Sequence, residues 1–437
     1  MKKIVFVTGL LALLGTACTH TENEQEYKSS GQDLYKTVQH FVSLGEHRTA
    51  SAGDLSTSAW LKAELDSLGA KTEYIEFPLS QFFFEEGKLN YDNQSVDVFP
   101  VWPVKEGLQL SLSGIVINGD HLKDSSAIKG KLVFTHLKNQ HGASTPATAA
   151  QINAFIKRGA IGVLVVPNNN TGEIVALNTF KDQQAWEVPV YEIAPKDTAL
   201  IGQSIAAHKE VHIEIKGEVK QVTARSVLGK IGTGSQQVVI STPISGWFRT
   251  GGERGPGIAI WLDLAKWAHA NLSTYKDYTF IFVGNSGHEL NNLGAKVFVD
   301  QVAPKPQDTR LWVHLGAAVA VRDWKRENGK WILTDSVDSK RSIYYSASVA
   351  ESFEESFKTL KANKIKGTEK NKERIKPGGE AIIYKERGYN NLVSIAYAHR
   401  LHHVKTDDEQ STSPELLLEL EQTLQQFISL ELSEKSK

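Results

Sequence analysis

Apolar residues recur every three to four positions between Leu34 and Leu68, a spacing that predicts two helices. Leu34, Val38, Phe41 and Val42 fall on one face of the first, and Trp60, Leu61, Leu65 and Leu68 on one face of the second. Gly69 follows as a C-terminal stop, and the alternation in KTEYIEF (71–77) predicts a strand. Across residues 95–222 the pattern changes to short β-rich runs, SLSGIVING, GKLVFTHL, GVLVVPN and EVPVYEI, separated by turn signals. One helix, Thr148 to Arg158, interrupts them. From residue 225 onward strands and helices alternate: VLGKIG, QQVVIST, a helix over 257–270, YTFIFVG, a helix over 291–301, RLWVHLGA, a helix over 348–361, NLVSIAYA and a closing helix over 413–432. Such alternation predicts an α/β fold, a mostly parallel sheet sandwiched by helices. Residues 362–376 carry dense charge without an apolar period and are expected to be an exposed loop.

A chain of 437 residues exceeds what one core normally serves, so two domains are expected. The change of pattern puts one at 33–94 together with 223–437, and the β-rich one at 95–222. Residues 1–18 read as a secretory signal: Lys2-Lys3, an apolar run from Ile4 to Leu14, then Gly15-Thr16-Ala17 before Cys18. Cys18 is the single cysteine and the expected point of lipidation, which implies an exported lipoprotein held to the cell envelope of a bacterium by its lipid. The alternative is a cleaved signal with an incidental cysteine. Residues 19–32 are polar and aperiodic, a flexible tether. With one cysteine an internal disulfide is excluded. The 49 basic and 50 acidic residues nearly cancel, so no polyanion-binding surface, and no nucleic acid partner, is expected. After the signal no apolar stretch reaches the ~18 residues of a membrane span.

The mature chain resembles the zinc aminopeptidases, a family that also includes glutamate carboxypeptidases and glutaminyl cyclases. The helix–LGEHRTASAG–helix–strand lead-in carries the likeness first. GKLVFTH, FIKRGAIGVLVV and EVPVYEI then stand in the order of the protease-associated domain that many members insert, and Val238 to Asp408 follows the family's strand–site–helix order. The resemblance implies a zinc-aminopeptidase-like fold with such an inserted domain at 95–222, and a metallopeptidase site that departs from the usual one. Pro243 and Ser245 stand where the family has a His-x-Asp pair, and Gly316 stands where it has a further aspartate. Proline offers no donor atom and a neutral hydroxyl is a poor zinc ligand. Glu253 matches the bridging carboxylate, Glu289 the second member of the paired-glutamate motif and His403 the final histidine; His288 replaces the usual general base. The ligand set that survives, Glu253, Glu289 and His403, implies at most one zinc ion with an open position.

Read without the resemblance, TGGERGPG is a glycine-rich turn in which Glu253 helps the positive end of the following helix, and Arg254 can clamp a carboxylate. Gly287-His288-Glu289 ends an apolar strand, where parallel sheets place their sites; the bland alternative is a solvated first helical turn. An imidazole titrating near ~6.5 suits His288 to proton transfer. Trp247, Phe248 and His314 are candidates to line a substrate pocket, with Trp247 and Phe248 equally able to be core. Glu380 matches a loop near the cleft, Arg322 is a candidate to pair a carboxylate, and His399 and His402 are expected at the surface or behind the site. The leading expectation is an exported hydrolase or cyclase of peptide or amide-like substrates, with His288 and Arg254 as catalytic groups. The alternatives are a metal-free peptide- or glycan-binding relative, and metal-free chemistry by His288 and Glu289.

Overall fold

In the computed structural model the structure describes Met1 and residues 27–122, 125–137, 142–360, 364–366 and 377–433. The signal, Cys18 and most of the tether lie outside these residues. The packed fold already includes Tyr27, whose hydroxyl donates to Asp263 at 2.6 Å, and α1 (Gly31–Ser43) begins inside the segment expected to be tether. Helix α2 (Ala52–Ser67) follows, capped by Ser51. The first lobe is completed by β1 (Lys71–Tyr91), whose first half pairs with the far half of β7 (Glu210–Ile231). Between them run β2 (Gln94–Pro100), β3 (Leu112–Asn118), β4 (Leu132–His136), α3 (Pro146–Ile156), β5 (Gly162–Val166), β6 (Val190–Ile193) and α4 (Thr198–Ala207).

The rest of the chain is β8 (Gln236–Pro243), α5 (Gly255–Ala270), β9 (Tyr278–Asn285), α6 (Leu293–Gln301), β10 (Thr309–Leu315), a hairpin β11 (Arg322–Glu327) and β12 (Lys330–Val337), β13 (Ser342–Tyr345), α7 (Ala350–Phe357), β14 (Lys364–Lys366), α8 (Ala381–Glu386), β15 (Leu392–Ile395) and α9 (Pro414–Ser433). Strands β9, β8, β10 and β15 lie side by side and parallel, with β7 antiparallel at one border and β13 at the other. The α/β fold with a mostly parallel, helix-covered sheet is therefore present as the alternation required.

Both faces of that block are dry. Val238, Ile240, Phe280, Phe282, Leu311 and Val313 point to the layer of α1, α2, α5, α7 and α9. The intervening Val239, Ile281, Val283 and Trp312 point to α6 and α8. This alternation is the period-2 geometry of a strand, and burial on both faces explains why β8 and β9 read as continuous apolar runs. The second lobe is built differently. Strand β1 pairs with β2, and the order continues through β6, β5, β4 and β3 to β7, which pairs back with β1. The strands thus close a ring with its own apolar cores, around Leu132, Leu164, Tyr191 and Ile213 and around Val133, Ile152, Val163 and Trp186.

The sequence pattern did not anticipate the β11–β12 hairpin, β13 or α8, and it read β14 as part of an exposed loop. RDWKRE has no apolar alternation because both faces of the hairpin meet water, and β13, β14 and α8 are too short to show a period.

One buried acid ties the lead-in to the site. Asp54 accepts from Ala50 N at 2.8 Å and from Ser286 Oγ at 2.7 Å, and burial pushes its carboxyl up to about 7. An acid bound more tightly to its proton in the folded state contributes stability below its unfolded value near ~3.9, and that contribution is lost as pH rises to 7. Asp54→Asn should therefore gain stability relative to the parent by a few kcal/mol, about 2–4, between pH 5 and pH 8. Urea unfolding at the two pH values checks this, and a pH-independent difference would contradict it.

Candidate metal centre at the carboxyl ends of the parallel strands

The loops that leave β8, β9, β10 and β15 at their carboxyl ends gather the chemistry-bearing side chains, where open parallel sheets place their sites. After β8 the chain turns through Gly251-Gly252-Glu253-Arg254 into α5. The Asp407 carboxylate accepts from Gly252 N at 3.0 Å and Glu253 N at 2.9 Å, and Ser411 Oγ donates to it at 2.7 Å. A Cβ at Gly251 would stand 2.1 Å from the Asp408 carbonyl carbon, and one at Gly252 2.4 Å from Ser411 Cβ; the turn needs glycine for close approach. It delivers Glu253 fully buried.

Three donor atoms meet there. Glu253 Oε1 lies 3.3 Å from His403 Nε2 and 3.6 Å from His402 Nδ1, and ligand atoms of the three residues lie within 4.8 Å of one another. Each of these three atoms is buried without a hydrogen-bond partner. His403 Nδ1 donates to the Ala176 carbonyl at 2.8 Å when it carries the ring proton, which leaves the Nε2 lone pair facing Glu253. The ring of His402 stacks on that of His403 at 3.9 Å, and burial drives its pKa well down, keeping it neutral. Neutral imidazole is the ligand form. For Glu253, burial raises its pKa, but Arg254, His402 and His403 outweigh it and hold the carboxyl well below its usual range. His403 adopts a left-handed backbone, φ 60°, which is uncommon for a non-glycine residue and concentrates at functional positions. Two imidazoles and a carboxylate with unfilled lone pairs are a donor set that fits zinc.

Arg254 divides this trio from Glu289. Its Nη2 lies 2.9 Å from Glu253 Oε1 and 3.0 Å from Glu289 Oε1, and its Nε donates to the Ser245 carbonyl at 2.7 Å. Glu289 Oε2 accepts from Ser245 Oγ at 2.6 Å. Among the described residues the group able to share an ion is thus Glu253, His402 and His403 rather than Glu253, Glu289 and His403. The sequence put His402 at the surface or behind the site because only one of two adjacent histidines was expected to face the cleft, and the spacing favoured His403. Here both do.

Beside this group lies a second cluster of ionisable side chains. His288 Nδ1 is 3.2 Å from Glu380 Oε1, while Asn285 Nδ2 and the Tyr384 hydroxyl each donate to Glu380 Oε2 at 2.9 Å. Burial raises the Glu380 pKa, but His288 and the hydrogen bonds outweigh it and the carboxyl lies below its usual range. The His288 side chain keeps 10% of its surface exposed. His314 is buried beneath, its Nδ1 2.9 Å from Ser241 Oγ, and burial lowers its pKa to about 4. His399 packs behind Asp407, with Nε2 3.5 Å from the carboxylate; burial lowers its pKa but Asp407 outweighs it, and the net shift is upward. Arg322 lies in the hairpin, donating to Asp335 at 2.7 Å, apart from this cluster. Trp247 and Phe248 are buried with Phe82, Phe99 and Trp102 in an aromatic core between the lobes. Phe248 also lines a 560 Å³ cavity with Arg48, Phe84, Phe99 and Val404; its wall includes neither Glu253 nor Glu289 nor His403.

The second lobe covers the donor group. Ala176 N donates to the His403 carbonyl at 3.1 Å, Thr179 N to that of Glu289 at 2.9 Å, and Trp247 Nε1 to Asn178 Oδ1 at 2.7 Å.

No family model matches the chain, and no curated protein matches it. Solved structures do. BSAP, a zinc aminopeptidase from Bacillus subtilis, is 14% identical with a TM-score of 0.72, covering 94% of this chain and 98% of that one. A peptidase precursor from Shewanella amazonensis is 16% identical with a TM-score of 0.66, over 93% and 94%. An aminopeptidase from an Aneurinibacillus species is 13% identical with a TM-score of 0.61, over 91% and 93%. The chain has the fold of the zinc aminopeptidases along nearly its whole described length.

Proposed function

We propose that the protein is a hydrolase of peptide or amide-like bonds that works with one zinc ion held by Glu253, His402 and His403. The observation that carries this reading is the convergence of three buried donor atoms, two imidazole nitrogens without hydrogen-bond partners and a carboxylate oxygen ion-paired to Arg254. An unpartnered buried polar atom costs about 1–3 kcal/mol, so two such nitrogens facing one carboxylate are not expected unless something else fills them. Charge points the same way. Glu253 and Glu289 share the single guanidinium of Arg254 in a group that is almost wholly buried, and a cation offsets the surplus negative charge.

When bound, the ion supplies Lewis acidity. The chain's own residues supply the rest. Glu380 orients His288 through Nδ1, leaving Nε2 to accept and return a proton. Arg254 Nη1, buried without a partner, is available to an anionic or carbonyl oxygen of the substrate. The second lobe, read as the inserted protease-associated domain, excludes water, and its Ala176–Thr179 segment must shift for substrate to reach the donor group. The signal-like residues 1–18 and the lone Cys18 support a location at the cell envelope, on a lipid anchor.

Elemental analysis of the purified protein tests the reading. One equivalent of zinc and turnover of aminoacyl or peptide amides that chelation abolishes are expected. A metal-free protein whose turnover ignores chelators would overturn it in favour of the metal-free readings, which the guanidinium between Glu253 and Glu289 supports.

A further inference from the structure

Arg254 and Glu289 have a relation to the ion that the activity itself does not require. Both oxygens of Glu289 are engaged, Oε1 by Arg254 Nη2 and Oε2 by Ser245 Oγ, whereas His402 Nδ1 and His403 Nε2 have no hydrogen-bond partner and face Glu253 Oε1, which shares the same guanidinium. The guanidinium is fully buried and anchored from behind by the Ser245 carbonyl, so it cannot swing away without leaving both carboxylates short of its counter-charge. It presents its positive charge 2.9 Å from the oxygen that the metal must use.

We propose that Arg254 is a resident cation that keeps Glu289 out of the metal's coordination and weakens zinc binding, so that the ion is held by three side chains and remains exchangeable. Two consequences are opposite in sign. Against the ion, a fixed charge in a low-dielectric site repels strongly at this range. Toward the empty site, the same charge offsets part of the negative charge of two buried glutamates and stabilises the apo-protein. Ser245 completes the device by occupying the one Glu289 oxygen that the arginine leaves free. The proposal rests on the zinc reading above.

The test uses the full chain, its Arg254→Gln and Glu289→Gln variants, and zinc alone, titrated against a chromophoric competitor and by thermal shift. Arg254→Gln is expected to melt below the parent without zinc, to bind zinc at least ~10-fold more tightly, and to gain a larger thermal shift on adding it. Glu289→Gln, which keeps the side chain's shape, is expected to leave zinc affinity within about threefold, since a residue outside the coordination gives up no ligand. Zinc affinity in Arg254→Gln no tighter than the parent's, or lost in Glu289→Gln, would overturn the proposal while leaving the hydrolase reading intact. Zinc binding that appears only in Arg254→Gln would overturn both, since the parent would then hold no exchangeable ion. Should Arg254→Gln not fold, the Glu289→Gln measurement decides alone.

Discussion

Glu253→Gln is expected to strip the protein of its metal and lower turnover at least ~10³-fold, with little change in the folded structure. Outer partners of metal ligands typically govern affinity by ~10–100-fold, and a ligand itself governs more. Glutamine keeps the shape and the backbone hydrogen bonds, since Glu253 N still donates to Asp407 and the Glu253 carbonyl still accepts from Ala318 N at 2.8 Å. It removes the negative charge that both the ion and Arg254 use, and Arg254 retains Glu289 as its partner. Metal content, steady-state kinetics and circular dichroism on one preparation separate these effects. Metal and turnover within threefold of the parent would mean that Glu253 is not a ligand.

Asp407→Ala should be the most damaging single change outside the cores, at about 3–5 kcal/mol. Its carboxylate holds the backbone N–H groups of Gly252 and Glu253, accepts from Ser411 Oγ, and is the acidic neighbour of His399. Alanine strands two buried amides and a buried imidazole at once, each with its own desolvation penalty. The turn that presents Glu253 then loses the side chain that holds two of its amides, so metal affinity should fall together with stability. Urea unfolding with linear extrapolation measures the first effect and chelator competition the second. A loss below 1 kcal/mol with unchanged metal affinity would show that the turn is held by other means.

The parallel block was legible in the chain because burial on both faces leaves an unmistakable signature: QQVVIST, YTFIFVG and RLWVHLGA are apolar runs bounded by helices of regular period. The ring of the second lobe was legible only as a change of pattern. Its closure depends on β1 and β7 being long enough to serve both lobes, and the sequence pattern shows only KTEYIEF at the start of β1 and VLGKI at the end of β7. The site divides the same way. Glu253, His288 and Glu289 stood out, because an ionisable group at the end of an apolar strand or in a glycine-rich turn is conspicuous, and His403 was singled out by the family resemblance. Asp407 did not, since an aspartate in a polar loop shows nothing of the two amides it will hold. Trp247 had two readings, and the structure places it in the aromatic core, hydrogen-bonded to Asn178.

What the sequence by itself determined was the α/β architecture, the β-rich character of 95–222, and which loops would carry the chemistry. These follow from periodicity, which is a property of neighbours along the chain. What only the tertiary structure decided was which of those groups share a point in space. Glu253 and His403 are 150 residues apart, and whether Glu289 or His402 joins them depends on the path of one buried guanidinium. No local pattern encodes that path, because Arg254 is positioned by a carbonyl at Ser245 and two carboxylates brought together only when β8, β9 and β15 align.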